Sequence, residues 1–395
     1  MNYPELRSRL RASYRKNAPE IAALGRGLYP RFVFARRPSE LRGEIPVFHY
    51  HDVDPPGLER DLAFLATNGY ATLTSAEFVR CLTGAAPIAD RAVLLTFDDG
   101  WRSLHTVAAP LLRRHGLRAT AYLITGVMAP TRDSIPASSD AAVLVTWDEV
   151  RADRDVIDFQ SHSHWHARVF VAPRLVDFLH PRFDRHALNL HVPVLRTRGE
   201  DDFARAAPLG TPLYADAPRF AGRPRFLDDE GARARAVELV AARGGAAFFA
   251  DPAWRRILSA EIRPHLVLHG SAGRYETAAE TAAALDAELV SSRAAIERVL
   301  PGHEVRSFCL PWFAGSELAI ARARAAGYTS CCFGVKPGRR TNRPGDDPLT
   351  TVRLPADYIH RLPGRGRLPL ATVLAGMARR STPGFLRGMR AAAAG

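Results

Sequence analysis

The fold is decided by the stretch Val93-Leu94-Leu95-Thr96-Phe97-Asp98-Asp99-Gly100-Trp101, which passes from an apolar run directly into two adjacent carboxylates. An apolar run rich in branched side chains is typical of a parallel strand that is covered on both faces. Asp98 and Asp99 would then lie at the carboxyl end of that strand. Two neighbouring carboxylates in a dry pocket repel each other, and a divalent cation bound to one of them relieves the repulsion. We therefore expect one metal ligand and one proton acceptor here.

A second stretch, Asp158-Phe159-Gln160-Ser161-His162-Ser163-His164-Trp165-His166, also follows a short apolar segment. His162 and His166 are spaced so that one metal ion can be held by both, and Asp99 makes a third ligand. Three such ligands leave an open coordination position, as catalytic zinc sites require. His162 with His164 is the rival pair. This ligand set, with one carboxylate left over as a base, indicates a metal-dependent hydrolase.

These two stretches resemble the polysaccharide deacetylase family, whose catalytic unit is the NodB homology domain. The flanking segments that strengthen the resemblance are Ile45-Pro46-Val47-Phe48-His49-Tyr50-His51 and Phe308-Cys309-Leu310-Pro311-Trp312. The resemblance covers residues 44–357 with one long interruption. It implies an α/β fold, a distorted (β/α) barrel of the NodB-homology type, with a long insertion after the His-x-x-x-His strand.

The same resemblance implies a hydrolase of carbon–nitrogen bonds outside peptides, which removes an N-acetyl group from a glycan or sugar conjugate. A divalent cation, with Zn²⁺ first among the candidates, would be held by Asp99, His162 and His166. Water bound to this cation would attack the amide carbonyl. Asp98 would act as the general base that takes the proton of the water.

The residues on the substrate side of the site would be Pro311, Trp312 and His51. The backbone N–H of Trp312 would stabilise the oxyanion. The general acid departs from the family pattern. The Leu-x-x-His motif normally follows the third motif of the family, which corresponds here to residues 308–312, whereas Leu266-Val267-Leu268-His269 precedes it. We predict His269 as this acid, with His360 as the alternative.

The third motif also departs from the pattern. Cys309 stands where the family commonly has an arginine that steadies the base, and Trp312 stands where a tyrosine is common. An apolar wall of Trp312 and Phe313 favours a lipid-linked or small substrate. Two competing hypotheses follow. One is an amidase or deformylase acting on a lipid-linked or non-sugar acyl amine, and the other is a non-catalytic carbohydrate-binding or scaffold protein.

The chain has 395 residues and a net charge of +13, from 54 basic and 41 acidic side chains. A positive surface attracts anions, but no nucleic-acid-binding motif accompanies the charge, so we expect no nucleic-acid partner. We predict three segments: a basic lead-in at 1–43, a catalytic domain at 44–360 and a basic tail at 361–395. Within the catalytic domain, regular periodicity is lost over an insertion at about 167–264, which is expected to cover the active site.

The cellular location is predicted from three features that are absent from the sequence: a disulfide framework, a signal-peptide core and a transmembrane run. Four cysteines do not make a disulfide framework in a chain of this length. Neither a signal-peptide core nor a run of transmembrane length occurs in the sequence. The tail has no acidic residue after Asp357 and carries seven arginines, so it could rest on an anionic membrane. We therefore expect a cytoplasmic protein, whose tail is either a solvated helix that packs on the barrel, which we favour, or a peripheral contact to the inner membrane.

Overall fold

The computed structural model describes residues 22–36, 40–135, 140–185, 187–268, 273–333 and 341–381. The strands are β1 (Val47–Tyr50), β2 (Ala71–Thr72), β3 (Ala92–Phe97), β4 (Ala119–Leu123), β5 (Ile157–Ser161), β6 (Arg168–Phe178), β7 (Leu195–Thr197), β8 (Glu200–Asp202), β9 (Pro212–Pro218), β10 (Phe226–Leu227), β11 (Arg274–Tyr275), β12 (Ser307–Cys309), β13 (Ser330–Phe333), β14 (Thr351–Val352) and β15 (Leu354–Pro355).

The α-helices are α1 (Arg31–Phe34), α2 (Pro55–Thr67), α3 (Ser75–Leu82), α4 (Ala109–His115), α5 (Trp147–Asp153), α6 (Glu230–Ala242), α7 (Trp254–Leu268), α8 (Ala278–Val299), α9 (Glu317–Ala325) and α10 (Leu370–Ser381). A π-helical turn and nine 3₁₀ turns complete the described elements, at Leu104–Ala108, Thr125–Val127, Arg132–Ser134, Asp140–Val143, Ala187–Asn189, Arg219–Ala221, Gly245–Ala250, Pro311–Phe313, Pro348–Thr350 and Ala356–Arg361. No helix within the described ranges combines the length and apolar composition needed to cross a bilayer.

The main sheet is parallel and returns to its own starting edge. Its strands are hydrogen-bonded in the order β14-β13-β12-β5-β4-β3-β1-β15, and β2 pairs with β3. β14 and β15 are two halves of one extended segment that is interrupted only at Arg353. The first half pairs with β13 and the second half with β1. Because one segment occupies both ends of the strand order, the sheet forms a barrel, which confirms the predicted distorted (β/α) barrel.

The first of two compact units comprises the described residues of Met1–Tyr122, Asp148–Gln160 and Thr329–Gly395. All six residues of β3 are buried, as its branched apolar side chains predict. In the parallel pairing of β1 with β3, Tyr50 lies opposite Phe97. His51 and Asp98 therefore leave the sheet at the same edge. Behind these strands lies an apolar cluster formed by Ile45, Val47, Phe78, Cys81, Leu82 and Leu94.

Helix ends in this unit follow local capping chemistry. The carboxylate of Asp54 accepts the N–H of Gly57 at the start of α2. Thr74 and Glu77 form a reciprocal capping box at the start of α3. Gly116 ends α4 with φ = 64°, a conformation that a residue without Cβ adopts at little cost. Such caps are worth about 1 kcal/mol each, and they depend on neighbouring residues alone.

Two arginines of the predicted tail hold the α1 segment. Arg361 donates to the carbonyl oxygens of Val33 and Ala35, and Arg367 donates to those of Phe32 and Ala35. Burial lowers the pKa of Arg361 to about 10. The guanidinium groups of Arg361 and Arg367 therefore donate hydrogen bonds to main-chain carbonyl groups within the fold. Residues 1–21 of the predicted lead-in and 382–395 of the predicted tail lie outside the described ranges.

The second compact unit comprises the described residues of Leu123–Trp147 and Ser161–Tyr328, and it contains the whole predicted insertion. Inside the insertion β6 and β9 form an antiparallel ribbon whose register shifts between Phe170 and Ala172, again before Leu175 and again before Asp177. Each shift adds one or two residues on β6 relative to β9 and breaks the two-residue alternation. That is why the sequence showed no strand periodicity here. Two apolar clusters support the insertion, one around Phe170 and Tyr214 and the other around the facing sides of α6 and α7.

Helix α8 of this unit presents its buried face to the segment that follows β5. Its start carries a capping box between Thr277 and Glu280. Along the buried face, Leu285 and Leu289 flank Glu288, a carboxylate that is only 6% exposed. A buried acidic side chain requires hydrogen-bond donors. The donors that Glu288 finds belong to the His-x-x-x-His segment.

Candidate metal centre and active site

Asp98, the predicted base, is buried at the carboxyl end of β3 and is held by an arginine. Arg353 donates from Nη1 to Oδ1 at 2.7 Å and from Nη2 to Oδ2 at 2.8 Å. Its Nη1 also donates to Oγ1 of Thr96 at 3.1 Å. Arg353 is fully buried and Asp98 is 1% exposed. A bidentate guanidinium favours the ionised carboxylate and fixes its orientation.

Arg353 was not predicted as a site residue. The sequence showed only that Cys309 stands at the position where the family commonly has an arginine that steadies the base. In the structure the guanidinium comes instead from the interruption between β14 and β15. The sequence did carry an indication, since Arg353 stands in an apolar strand and a buried arginine requires a partner.

His51, predicted on the substrate side, lies beside the base. Its Nε2 is 3.8 Å from Oδ2 of Asp98, a distance longer than a hydrogen bond, and 41% of its side chain is exposed. The ring of His49 contacts it edge to face with centroids 5.8 Å apart. His51 is thus placed to meet a ligand that approaches Asp98, and its role stays a prediction.

Asp99, the predicted metal ligand, is buried in a backbone conformation that most residues avoid. Its φ is 70°. The left-handed region costs a residue with Cβ roughly 1–2 kcal/mol, so the surrounding structure must enforce it. The indole Nε1 of Trp101 donates to Oδ2 of Asp99 at 3.1 Å and helps to hold the carboxylate.

The two predicted imidazole ligands lie together in the second unit. The rings of His162 and His166 have centroids 4.8 Å apart. Nδ1 of His162 lies 2.8 Å from the carbonyl oxygen of Cys309. A carbonyl oxygen can only accept, so Nδ1 carries the proton and Nε2 of the neutral ring keeps its lone pair for a metal.

The backbone between these two histidines is unusual. Ser163 has φ = 69° and His166 has φ = 51°. The N–H of His166 donates to Oγ of Ser163 at 2.9 Å, which closes a tight turn. Nδ1 of His164 lies 2.8 Å from Oγ1 of Thr125, and burial lowers the pKa of His164, assisted by the charge of Arg298. His164 is therefore committed to a structural contact.

Among the described residues, two groups offer three donor atoms that all lie within 4.8 Å of one another. They are Asp99 with His162 and His166, and Asp98 with His162 and Cys309. The first group fits a metal ion better, because both carboxylate oxygens of Asp98 already accept from Arg353. Two imidazoles and a carboxylate are also a usual donor set of catalytic zinc. The rival pair of His162 with His164 appears in neither group.

Trp312 and Pro311, predicted on the substrate side, form the 3₁₀ turn after β12. Pro311 is buried, and Trp312 has φ = 58°. The indole packs against His166, with centroids 4.8 Å apart, and against His191, with centroids 5.3 Å apart. The guanidinium of Arg168 lies 5.0 Å from the ring centroid. Trp312 therefore forms a wall against one proposed ligand, and the oxyanion role of its N–H stays a prediction.

The predicted general acid His269 lies outside the described residues. The alternative, His360, has its Nε2 2.9 Å from Oδ1 of Asp61, whose Oδ2 accepts the hydroxyl of Tyr50 at 3.0 Å. The ring of His360 also packs edge to face on Phe64, with centroids 5.2 Å apart. His360 is thus part of a Tyr–Asp–His network. The assignment of the acid stays a prediction.

Comparison with known proteins finds similarity to polysaccharide deacetylases over part of the chain. Residues 86–187, about a quarter of the chain, match the family profile "Polysaccharide deacetylase", and this segment contains Asp98, Asp99, His162 and His166. Poly-β-1,6-N-acetyl-D-glucosamine N-deacetylase of Escherichia coli (strain K12) is 26% identical over 151 residues, which are 35% of this chain and 21% of that protein. YxkH of Bacillus subtilis (strain 168), provisionally named a polysaccharide deacetylase, is 31% identical over 94 residues, or 22% of this chain and 34% of that protein.

The chain thus spans about a third or less of the length of these curated relatives. Among solved structures, the deacetylase domain of BpsB from Bordetella bronchiseptica is 19% identical with a TM-score of 0.49, covering 81% of this chain and 97% of that one. A de-N-acetylase from Aggregatibacter actinomycetemcomitans is 17% identical with a TM-score of 0.49, covering 79% of this chain and 94% of that one. The family profile, the sequence relatives and the motif residues within the matched segment support a relationship of residues 86–187 to the polysaccharide deacetylase family.

Proposed function

We propose that this chain is a metal-dependent N-deacetylase of a glycan or sugar conjugate. The observation that carries the proposal is the different use of the two adjacent carboxylates. Asp98 has both oxygens held by Arg353, whereas Asp99 belongs to the group of donor atoms with two imidazoles. A base kept apart from the ligands is what hydrolysis needs. A protein that only binds carbohydrate has no use for it, and this argues against the scaffold hypothesis.

The residues that would hold the cation are Asp99, His162 through Nε2, and His166. When bound, a divalent cation such as Zn²⁺ supplies Lewis-acid polarisation of the amide carbonyl and makes hydroxide available near neutral pH. The carbonyl of Cys309 fixes the ring orientation and tautomer of His162 in advance. The donor set is therefore prepared by the protein before any ion arrives.

Proton transfer would fall to the residues around Asp98. Its carboxylate takes a proton from the attacking water, and Arg353 keeps the carboxylate ionised and correctly oriented for that transfer. Expulsion of the amine then requires a proton from an acid, for which His269 remains our candidate. The N–H of Trp312 is our candidate donor to the oxyanion.

For the substrate we propose an N-acetylglucosamine-containing glycan. The support is the Escherichia coli relative, whose name gives poly-β-1,6-N-acetyl-D-glucosamine as its substrate. The indole wall of Trp312 beside His166 is also a surface on which a sugar ring can pack. An amide of a lipid-linked or non-sugar acyl amine, or a formylated sugar, is the second candidate, favoured by the apolar side chains of the third motif.

Acetate release from N-acetylated substrates tests the proposal. The purified chain is incubated with β-1,6-linked and β-1,4-linked N-acetylglucosamine oligosaccharides, with an N-formylated sugar and with a lipid-linked N-acetyl sugar. We expect acetate from at least one glycan, none after treatment with a chelator, and recovery on adding Zn²⁺. Asp98→Asn should abolish release, while Asp155→Asn, at an exposed carboxylate paired with Arg113, should not change it. Zinc bound without any product from the panel would favour the scaffold hypothesis.

We also propose that the protein is cytoplasmic and contacts an anionic membrane surface through the predicted tail. Arg361 and Arg367 are occupied by main-chain carbonyls, so the contact would rest on the other five arginines after Asp357. Flotation with vesicles of anionic lipid, comparing the full chain with a chain ended at Pro369, which lacks four of these five arginines, tests this. Loss of binding in the shortened chain is expected, and equal binding of the two contradicts the proposal.

A further inference from the structure

The backbone between the two proposed imidazole ligands forms hydrogen bonds with two buried charged side chains, Glu288 and Arg205. We call Ser163, His164 and Trp165 the ligand loop. A single carboxylate oxygen, Oε2 of Glu288, accepts the N–H of His164 at 2.9 Å and the N–H of Trp165 at 2.8 Å. On the other side, Nη2 of Arg205 donates to the carbonyl oxygen of Trp165. Both peptide groups around Trp165 are therefore fixed by side-chain charges.

Burying the side chains of Glu288 and Arg205 costs desolvation free energy, so we expect their contacts with the ligand loop to have a functional role. Glu288 is 6% exposed and Arg205 is 1% exposed. Burial raises the pKa of Glu288, although the two N–H donors oppose this, and burial lowers the pKa of Arg205 to about 10. Arg205 also has φ = 53°, and its Nε has no hydrogen-bond partner among the described residues. Such groups persist only where the surrounding structure enforces them.

Packing contacts alone do not fix the position of the ligand loop near Glu288. A cavity of about 240 Å³ borders it, with His164, Trp165 and Glu288 in its wall. Atoms that face a cavity lack van der Waals partners there, so specific hydrogen bonds must define their position. The indole of Trp165 adds one further contact, a parallel stack on Phe203 with centroids 4.7 Å apart.

The loop needs this support because its conformation is strained and crowded. Ser163 and His166 both have positive φ. The N–H of Gly126 donates to the carbonyl oxygen of His164 at 2.7 Å. A Cβ at Gly126 would lie 2.7 Å from that oxygen and 2.7 Å from the Trp165 ring. The loop therefore contacts the Gly126 backbone closely and is also held by hydrogen bonds to Glu288 and Arg205.

We infer that Glu288 and Arg205 are positioning residues of the metal centre: by fixing the ligand loop they set the separation of His162 and His166, and thereby the affinity for the divalent cation. The inference rests on the proposed function. Glu288 comes from α8, while Arg205 comes from the insertion. The insertion therefore contributes to the metal centre itself, in addition to the expected covering of the active site.

Conservative substitutions at Glu288 separate geometry from charge. Glu288→Gln loses the charge but keeps an oxygen at the position that accepts both N–H groups. Glu288→Asp keeps the charge but withdraws the oxygen by one methylene. Positioning therefore predicts that Gln leaves Zn²⁺ affinity close to that of the native chain, whereas Asp weakens it by about 10- to 100-fold, the range usual for residues that orient metal ligands. A purely electrostatic role predicts the reverse order.

The measurement is the dissociation constant of Zn²⁺ for the purified full chain, by competition with a chromogenic chelator. The visible absorbance of the Co²⁺-loaded chain reports ligand geometry independently. Arg205→Met should also weaken binding by about 10- to 100-fold. Glu276→Gln is the matched control, because Glu276 is a buried carboxylate of the same unit, bound to Arg219 and to the N–H of Arg225. It should leave both readouts unchanged.

The outcomes distinguish this inference from the proposed function. If the native chain binds one Zn²⁺, His162→Ala abolishes binding, and Glu288→Asp and Arg205→Met both bind as the native chain does, the metal centre stands and the positioning role is wrong. If Glu288→Gln loses affinity as severely as Glu288→Asp, positioning by the oxygen is wrong. If the native chain binds no Zn²⁺ at all, the proposed function fails and the inference fails with it. Thermal unfolding of each variant shows that the comparison is made on folded protein.

Discussion

Replacing Arg353 by Met should destabilise the protein by about 3–5 kcal/mol, because it leaves the carboxylate of Asp98 buried without a counter-charge. The magnitude follows from the geometry. Arg353 is fully buried and donates two hydrogen bonds of 2.7 and 2.8 Å to Asp98. A third bond goes to Thr96 and a longer one to the carbonyl of Phe333. Breaking one side of such a pair costs far more than the pair contributes relative to a well-packed neutral replacement.

A double-mutant cycle measures this dependence. Asp98→Asn alone should cost a similar amount, because it strands the guanidinium of Arg353. The double variant places two uncharged side chains at the same positions, so its cost should be well below the sum of the single costs, with a coupling energy of about 3 kcal/mol. The assay is equilibrium unfolding in urea followed by circular dichroism.

A matched control is Arg322→Met, which removes a partly exposed guanidinium paired with Asp286. That ion pair is solvated, so its loss should cost much less than the loss of Arg353. The reasoning is refuted if Arg353→Met costs no more than this control, or if the single costs at Arg353 and Asp98 simply add. Either result would mean that the base is not held by the buried pair.

Three further predictions concern other parts of the chain. Gly126→Ala should lower the melting temperature and weaken Zn²⁺ binding, since its Cβ would meet the ligand loop at 2.7 Å; Gly25→Ala, with open space around the Cβ, should change neither quantity. Glu280 has a pKa lowered from 4.5 to about 2 by its guanidinium neighbour, so its stabilisation of α8 is present above pH 4.5 and is lost as the pH falls towards 2. An NMR titration of its carboxyl group should show this midpoint, and a midpoint near 4.5 would be contrary. Arg361→Met should destabilise the fold by about 1–3 kcal/mol by leaving carbonyl oxygens of the α1 segment unsatisfied, with exposed Arg365→Met as the neutral control in urea unfolding.

Much of the barrel could be predicted because its determinants are local. The apolar run before Asp98 specifies a buried strand, and Thr74 with Glu77 or Thr277 with Glu280 specify helix starts through neighbouring residues alone. The spacing of the two histidines likewise predicted that they would lie together. The barrel fold was confirmed, and the profile match over residues 86–187 supports the family resemblance. The segment boundaries, the location and the roles of the site residues stay predictions.

The features that escaped prediction depend on distant contacts. Arg353 and Asp98 are 255 positions apart, so no window of sequence contains the pair. Glu288 reaches the ligand loop across more than a hundred residues, so although its helical position beside Leu285 and Leu289 places it on the apolar face, the sequence does not show which donors it meets. The positive φ of Asp99 and Trp312 is likewise imposed by tertiary structure, because neither residue type requires it.

The strands of the insertion could not be predicted from the sequence for a different reason. Strand prediction relies on two-residue alternation, and the repeated register shifts within β6 erase that alternation while leaving the ribbon intact. The arginines of the insertion would also be predicted from the sequence to lie on the surface. In the structure Arg205 and Arg219 are buried, and each serves a defined acceptor.

The most direct test of the central claim is the zinc content of three purified chains, measured by mass spectrometry beside acetate release. The native chain should hold about one Zn²⁺ and release acetate, as a three-ligand site with one open position predicts. Asp98→Asn should hold the same zinc but release no acetate, whereas His162→Ala should lose both. If Asp98→Asn loses its zinc as completely as His162→Ala does, or if His162→Ala keeps its zinc, the assignment of separate base and ligands is contradicted.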